Sequence, residues 1–267
     1  MANNEQVQPA PQESSTQAPK GRFGTIVGGV WQLVSVVLMV LLIKTVAAEA
    51  YYVPSGSMLP SLQIGDQLLV TKFPYGYSRY SLPVPFAPAS YERLLGKLPA
   101  YGDVVVFRLP RDPMQTFVKR VVGLPGDRVQ MRDGRLYVNG KALAVKRAGI
   151  GQMESEDGSS AAVPRFIETL PNGRAHEIFK FREDGELDNT QEFHVGEGQI
   201  FVMGDNRDDS ADSRLDPAAG GVGYVPVENL VGRVEAVLGS WDPAVRHDPL
   251  WQWPSGLRFS RFFSRVN

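Results

Sequence analysis

The segment at residues 55–62 holds the residue types that a serine hydrolase needs. It reads Ser-Gly-Ser-Met-Leu-Pro-Ser-Leu, which is too rich in Gly, Ser and Pro for a helix, so we expect a loop or an edge strand. Gly56 would let the backbone approach a ligand closely, and the hydroxyl of Ser57 could then meet an incoming carbonyl carbon. The segment alone is a weak signal, because most Ser-Gly-Ser loops are structural.

A serine nucleophile needs a base, which is usually a histidine. The chain has three, His176, His194 and His247, and all of them lie in polar or charged stretches, so we expect them at the surface. A lysine can serve instead if burial lowers the pKa of its amine from about 10.4 toward neutrality. The candidate should therefore lie in an apolar strand.

Lys119 meets that requirement. It lies in the apolar run 116–122, where a period of two would place Phe117, Lys119 and Val121 on one face. The amine would then emerge among apolar side chains, which lowers its pKa. Arg120 would point to the opposite face, and because its pKa is too high for a base, we expect it to form an ion pair. The alternative for Lys119 is a solvated lysine that protects an edge strand from aggregation.

A third polar segment, residues 204–214, reads Gly-Asp-Asn-Arg-Asp-Asp-Ser-Ala-Asp-Ser-Arg. Its oxygen-rich side chains could hold calcium, but the residue order of an EF-hand is absent and the arginines would repel a dication. We expect no metal and no cofactor. As support for a lysine base, Asp212 and Arg214 could form a buried ion pair, and Ser210 could hydrogen-bond the amine.

Composition excludes several classes of protein. The 267 residues contain no Cys, which excludes a thiol nucleophile, a disulfide framework and a thiolate metal site. The net charge of -1 gives no basic excess with which to neutralise phosphates, so we expect no nucleic acid as a partner.

The elements that must position these residues are mainly short strands. Apolar runs at residues 67–73, 103–109, 116–122, 135–138, 199–203 and 230–238 are bounded by turn pairs such as Gly-Asp and Asn-Gly. The fold class is therefore mainly β: a single N-terminal transmembrane helix, then a β-rich catalytic domain with an inserted smaller β subdomain. We predict a disordered cytoplasmic tail (1–22), an anchor (23–46), the catalytic core in two parts (50–130 and 199–267, the second ending in a membrane-proximal C-terminus), and the insert (131–198).

The anchor prediction rests on an uncharged, mostly apolar run of about 21 residues at 23–43, roughly 32 Å as a helix. The small-x-small pattern at 48–50 could instead mark a cleaved signal peptide, but the run exceeds a typical h-region, which favours a retained anchor. Aromatic and basic residues at 73–88 and 251–265 suit a membrane surface, although core aromatics would explain them equally well.

Together the three polar and apolar segments resemble the signature boxes of the bacterial type I signal peptidase (leader peptidase) family. The similarity lies in Ser-Gly-Ser-Met-x-Pro at 55–60, in Lys-Arg-x-x-Gly-x-Pro-Gly-Asp at 119–127, and in the acidic segment 204–214. It runs from the anchor to roughly residue 240, without most of the polar insert. A Trp-Pro-x-Gly-Leu-Arg stretch at 253–258 is similar as well.

The resemblance implies Ser57 as nucleophile and Lys119 as general base. It implies an oxyanion hole made of the Ser57 backbone N–H and the Ser55 hydroxyl, with Ser210 orienting the lysine. Asp212, Arg214 and Arg120 would be structural supports.

The chain departs from the family pattern in three places. It has Ser61 where Thr is usual, Asp209 where Asn is common, and one span where some members have two.

The implied enzyme cuts signal peptides after small residues at positions -3 and -1. Its partners would be preprotein signal peptides, membrane lipid and the export machinery, and it would lie in the inner (plasma) membrane with the catalytic domain on the periplasmic or extracytoplasmic side. Two alternatives stay open. One is a non-catalytic, membrane-tethered β-rich binding or assembly protein, and the other is a Ser/Lys protease that cleaves itself or acts in regulated proteolysis.

Overall fold

The computed structural model describes residues 22–81, 93–155, 159–247 and 249–266. The predicted tail, apart from its last residue, lies outside the described residues, as does the part of the aromatic segment from residue 82 to 88. Residues 42–267 form one compact unit, and residues 1–41 are a separate one.

The first element is an α-helix, α1, which runs from Arg22 to Val46 over 25 residues. Its described apolar side chains are exposed, for example Trp31 at 74% and Leu42 at 63%. Within the described part of the chain, no helix is both long and apolar enough to cross a membrane. The anchor at residues 23–46 therefore stays a prediction.

The rest of the described chain is built from strands and short 3-10 turns. The strands are β1 (Ala48–Tyr52), β2 (Asp66–Thr71), β3 (Val104–Leu109), β4 (Asp112–Gly123), β5 (Arg128–Arg132), β6 (Arg135–Val138), β7 (Lys141–Ala142), β8 (Ala144–Glu154), β9 (Ser160–Thr169), β10 (Ala175–Phe179), β11 (Phe193–His194), β12 (Gln199–Met203), β13 (Val225–Pro226) and β14 (Leu230–Ser240). The six apolar runs predicted as strands correspond to β2, β3, β4, β6, β12 and β14, so the mainly β class is confirmed.

These strands form three antiparallel sheets. The largest has seven strands in the order β1-β2-β14-β3-β4-β12-β13, and two smaller sheets have the orders β11-β5-β6-β7 and β10-β9-β8. Both smaller sheets come from the chain between β4 and β12, the region in which the insert is predicted.

The core of the large sheet lies on both of its faces around β3. Val104 and Val106 pack into one apolar cluster, and Val105 and Phe107 pack into another on the opposite side. All four are at most 2% exposed. Because β3 is covered on both faces, it gives β4, its neighbour in the sheet, a fixed support.

Candidate active site

Ser57 lies in a single 3-10 turn, Gly56–Met58, between β1 and β2. Met58 is buried in the core that β2, β3 and β14 share, and Leu59 packs against Phe179 in a separate apolar cluster. The side chains that follow the serine are thus fixed in two different clusters. The predicted loop is present, and it contains this one helical turn.

Lys119 lies on β4, opposite Val105 of β3. It is only 3% exposed, and its Nζ lies 5.6 Å from the centre of the Phe117 ring. The period of two predicted Phe117 as a neighbour of Lys119. The low exposure of Lys119, and the position of β4 between β3 and β12, exclude the alternative of a solvated lysine at a sheet edge. The amine is held in an apolar environment by the strand on which it lies.

The Nζ of Lys119 lies 2.6 Å from the Oγ of Ser57, which is hydrogen-bonding distance. Burial lowers the pKa of the Lys119 amine to about 8, although the negative charges of Asp212 and Asp205 oppose that shift. Part of the protein population therefore holds a neutral amine at neutral pH. A neutral amine in contact with a hydroxyl can take its proton, which is the requirement for an activated nucleophile.

Ser55 precedes the turn in an extended conformation, with φ of -131° and ψ of 159°. Its side chain does not cap the turn by a hydrogen bond. Ser55 instead lines the same cleft as Ser57 and Lys119. Its hydroxyl is therefore available to a molecule bound there.

The cleft in front of Ser57 has a volume of about 340 Å³. It is formed by the end of β1, the turn Gly56–Met58 and the middle of β4. Its lining residues are Tyr51, Tyr52, Pro54, Ser55, Gly56, Ser57, Leu68, Val106, Thr116, Phe117, Val118, Lys119, Asp209 and Ala211. A cleft bordered by extended backbone and mostly apolar side chains suits a peptide in extended conformation.

Arg120 forms a two-pronged ion pair behind the cleft. Its Nε and Nη2 lie 2.8 and 2.7 Å from the two carboxylate oxygens of Asp205, and both residues are 1% exposed. Arg120 also donates to the backbone oxygen of Gly102 at 2.8 Å. Burial alone would raise the pKa of Asp205, but Arg120 holds it below its ordinary value. This pair ties the segment after β12 to the strand that holds Lys119.

Asp212 and Arg214 form the buried ion pair that the sequence suggests, at 2.8 Å between Oδ2 and Nη2. The Oδ2 of Asp212 also accepts a hydrogen bond from the Gly204 N–H at 3.0 Å. Burial would raise the pKa of Asp212, but Arg214 lowers it. The charged pair therefore fixes the start of the acidic segment.

Ser210 is buried, but its hydroxyl has no hydrogen-bond partner among the described residues. The predicted hydrogen bond from Ser210 to the lysine is thus not formed in this structure. Gly204 lies against both Ser210 and the turn that contains Ser57: a Cβ there would come within 2.2 Å of Ser210 Oγ and 2.5 Å of the Ser57 carbonyl oxygen. A side chain at position 204 would therefore clash with Ser210 and with the backbone of Ser57.

The prediction that all three histidines lie at the surface is wrong for His176. It is 6% exposed, and its Nε2 lies 3.6 Å from Glu168 and 3.8 Å from Asp205. Burial lowers the pKa of His176 to about 4, so the ring is neutral at physiological pH. The alternation that buries it on β10 could not be recognised in so polar a stretch. It lies among the supporting ion pairs, and Lys119 contacts Ser57 without it.

The other two histidines are His194 and His247. The His194 side chain is 72% exposed, as predicted. The side chain of His247 lies outside the described part of the chain.

Sequence reasoning gave no role to two residues of this region. Glu168 on β9 forms a buried ion pair with Arg207, with 2.7 Å between Oε1 and Nη1. Asn206 is fully buried and donates a hydrogen bond to the Gly56 carbonyl oxygen at 3.2 Å. Asn206 lies inside the acidic segment, so its position in the sequence could have indicated a role in the site. Nothing in the sequence near Glu168 indicates a link to the site.

Three of the four carboxylates of the acidic segment bind protein cations. Asp205 pairs with Arg120, Asp208 with Lys180 at 2.8 Å, and Asp212 with Arg214. In the described ranges no group of three His, Asp or Glu side chains could hold a metal ion.

Comparison with known proteins gives consistent matches over most of the chain. The family model described as "Signal peptidase, peptidase S26" matches residues 26–241. Signal peptidase I of Rickettsia akari is 36% identical over 255 residues, covering 88% of this chain and 91% of the relative. That of Rickettsia canadensis is 37% identical over 247 residues, covering 86% and 90%. A crystal structure of signal peptidase I from Enterococcus faecalis is 29% identical and covers 51% of this chain and 97% of its own, with a TM-score of 0.31.

Proposed function

Because the chain belongs to the signal peptidase family, peptidase S26, we propose that it removes N-terminal signal peptides from exported preproteins after small residues at positions -3 and -1. Ser57 is the nucleophile and Lys119 is the general base in this proposal. The observation that carries it is the 2.6 Å contact between Ser57 Oγ and a buried lysine amine. Its low exposure and lowered pKa support the amine as a base.

The proposed reaction has two halves. The neutral Nζ of Lys119 takes the proton of Ser57 Oγ while Oγ attacks the scissile carbonyl carbon, and a tetrahedral oxyanion forms. The resulting ammonium then donates this proton to the leaving amine as the C–N bond breaks, which leaves an acyl ester on Ser57. Water attacks the ester with Lys119 again as base, the C–O bond to Ser57 breaks, and the proton returns to Oγ.

The oxyanion needs two donors aimed at one point, because charge develops on the carbonyl oxygen only in the transition state. We assign these donors to the backbone N–H of Ser57 and the hydroxyl of Ser55. The position of Ser55 in the cleft and the absence of a capping bond from its side chain support this assignment. Arg120, Asp212 and Arg214 keep the surrounding backbone in place.

We also propose that α1 is a single-pass anchor in the inner (plasma) membrane, with the catalytic domain on the periplasmic or extracytoplasmic side. The uncharged run at residues 23–43 and the exposed apolar side chains of the helix support the anchor. Exposed aromatic side chains on the catalytic domain, among them Trp251, Phe259 and Phe263, would contact lipid. The export machinery is a further partner in this proposal.

The catalytic proposal is tested with purified protein and a preprotein. Wild type should release the mature protein with an N-terminus that follows a small residue, while Ser57→Ala and Lys119→Met should not. Ser159→Ala, a change in the insert outside the cleft lining, is the matched control and should cleave like wild type. Full cleavage by Ser57→Ala would exclude this mechanism.

The anchor is tested by fractionation of cells. The full chain should remain in the membrane pellet after an alkaline wash, and a double change of Leu38 and Leu42 to Asp should release a large fraction of it. An equal pellet fraction for the two proteins would contradict the anchor.

A further inference from the structure

Asn206 contacts the turn Gly56–Met58, which holds Ser57, at two successive carbonyl groups. Its backbone N–H donates to the Ser57 oxygen at 3.1 Å, and its side-chain Nδ2 donates to the Gly56 oxygen at 3.2 Å. The residue is 0% exposed, so both contacts are shielded from water. They fix both carbonyl groups, and Asn206 itself does not line the cleft.

The second contact fixes the orientation of one particular peptide group. The Gly56 carbonyl and the Ser57 N–H belong to the same planar trans peptide, so they point in opposite directions. When the oxygen points toward Asn206, the N–H of Ser57 points away from it. A hydrogen bond to the carbonyl also polarises the peptide and strengthens its N–H as a donor.

The segment that carries Asn206 is held in turn by the insert. Phe179, the last residue of β10, donates its N–H to the Asp205 oxygen and accepts a hydrogen bond from the Arg207 N–H, each at 3.0 Å. The side chain of Arg207 pairs with Glu168 of β9. The residues on both sides of Asn206 are therefore bound to the three-stranded sheet of β8, β9 and β10.

We propose that Asn206 is a positioning residue that aims the Ser57 N–H at the oxyanion, and that β9 and β10 of the insert hold it in place. This inference rests on the proposed function, since it assumes that the Ser57 N–H is an oxyanion donor. It gives the insert a task in catalysis although none of its residues lines the cleft.

The effect of losing this contact should appear in the transition state. A substrate carbonyl carries little charge in the ground state, so a misaimed donor changes kcat more than KM. Asn206→Asp keeps the size of the side chain but replaces the donor by an oxygen, which repels the Gly56 carbonyl and turns the peptide.

The experiment compares Asn206→Asp with Asn229→Asp at pH 8 on a signal-peptide substrate. Asn229 is a matched control, because it is also buried and donates from Nδ2 to a backbone oxygen, that of Arg108 at 2.9 Å, but does not line the cleft. We expect Asn206→Asp to lower kcat about 10- to 100-fold with KM within about twofold, and Asn229→Asp to keep both. Melting temperatures of the two variants show how much each change costs in stability.

A peptide aldehyde that mimics the tetrahedral intermediate provides the second measurement. Its affinity should fall in parallel with kcat/KM for Asn206→Asp, while the affinity of the uncleaved substrate, measured in the Ser57→Ala background, should not change. Unchanged kcat, an equal loss in Asn229→Asp, or full aldehyde affinity would each overturn the inference. If Asn206→Asp does not fold, Asn206→Ser replaces it, with an expected loss of about tenfold in kcat and in aldehyde affinity, and full affinity again overturns it.

The proposed function fails in a different way from this inference. It fails if wild type does not cleave or if Ser57→Ala cleaves normally. The inference fails when wild type and Ser57→Ala behave as expected but Asn206→Asp matches its control.

Discussion

Among the residues that the structure describes, two lysines of the catalytic domain, Lys72 and Lys119, are buried, and they differ in their partners. Lys72, just after β2, is 2% exposed, and its Nζ lies 3.0 Å from a carboxylate oxygen of Glu49. Lys119 is 3% exposed, but its Nζ contacts the Ser57 hydroxyl, and among the described residues no carboxylate forms an ion pair with it. A carboxylate compensates the charge of a buried ammonium, whereas a hydroxyl does not. The two lysines thus share burial and differ in whether a carboxylate is paired with the amine, and the proposed role of Lys119 as a base depends on that difference.

The largest difference between the two lysines is expected when each amine is removed in turn. Lys119→Met should lower kcat/KM by about a thousandfold or more, because it removes the base and the acid together. Lys72→Met should keep most of the activity, since it leaves the cleft unchanged. Initial rates of preprotein cleavage measure both.

The two variants also control for each other. They make the same chemical change at equal burial in one domain, so general loss of folding would affect both alike. Comparable loss of activity in the two would contradict the special role of Lys119.

The pH dependence of kcat/KM in the wild-type protein should report the lowered pKa of Lys119. Because the pKa of Lys119 is lowered to about 8, kcat/KM should rise about tenfold per pH unit below that value and level off above it. A pH-rate profile between pH 6 and 10 measures the midpoint. A midpoint near the ordinary lysine value of about 10.4 would contradict a base made neutral by burial.

The same shift predicts the sign of a stability change. The unfolded chain keeps a lysine of ordinary pKa, so between about 8 and 10.4 it binds more protons than the folded protein. The contribution of Lys119 to the free energy of unfolding should therefore rise with pH across this range, and it is lost as the pH falls through about 8. Urea unfolding of wild type and Lys119→Met at both ends of the range checks the sign.

Removal of the carboxylate partner of Lys72 should lower the free energy of unfolding without lowering the rate of cleavage. Glu49→Gln leaves a buried ammonium without its paired charge, and because Glu49 is 31% exposed, we expect a loss of about 1–2 kcal/mol, less than for a fully buried pair. Urea unfolding measures it. Glu177→Gln, which removes a more exposed pair with Arg165, is the control and should change stability by less than about 1 kcal/mol.

The smallest expected effect comes from a carboxylate near Lys119 that is not paired with it. Asp209 is exposed and raises the pKa of Lys119 slightly against the effect of burial. Asp209→Asn should shift the midpoint of the pH-rate profile to lower pH by a few tenths of a unit, and less so at high salt. Asp133→Asn, in the turn between β5 and β6, should not shift it.

Residue types and strand periodicity were enough to predict the parts of this protein that follow simple patterns. The apolar runs of β2, β3, β4, β12 and β14 are bounded by clear turn residues, so their positions could be predicted. The period of two in β4 indicated that Lys119 would lie among apolar side chains. The link between Lys119 and Ser57 needed the resemblance to a family, because 62 positions separate them and no local pattern connects them.

The sequence did not predict the long hairpin of β8 and β9. None of the residues of β8 is buried and only two of β9 are, so neither strand shows the apolar alternation on which strand prediction depends. The burial of His176 and Glu168 was missed for the same reason, since each faces charges from the acidic segment. Long-range compensation between buried charges leaves no periodic trace in a sequence.

The adjacency of β4 and β12 has a consequence for how this protein can vary. Gly123 at the end of β4 lies opposite Phe201 of β12, so residues 124–198 leave and re-enter the large sheet at neighbouring points. Because the entropy of closing a loop grows only slowly with its length, the excursion can gain or lose residues at little cost to the large sheet. A label or an affinity tag could therefore be attached within this excursion, provided that Phe179 keeps its hydrogen bonds to the backbone of Asp205 and Arg207.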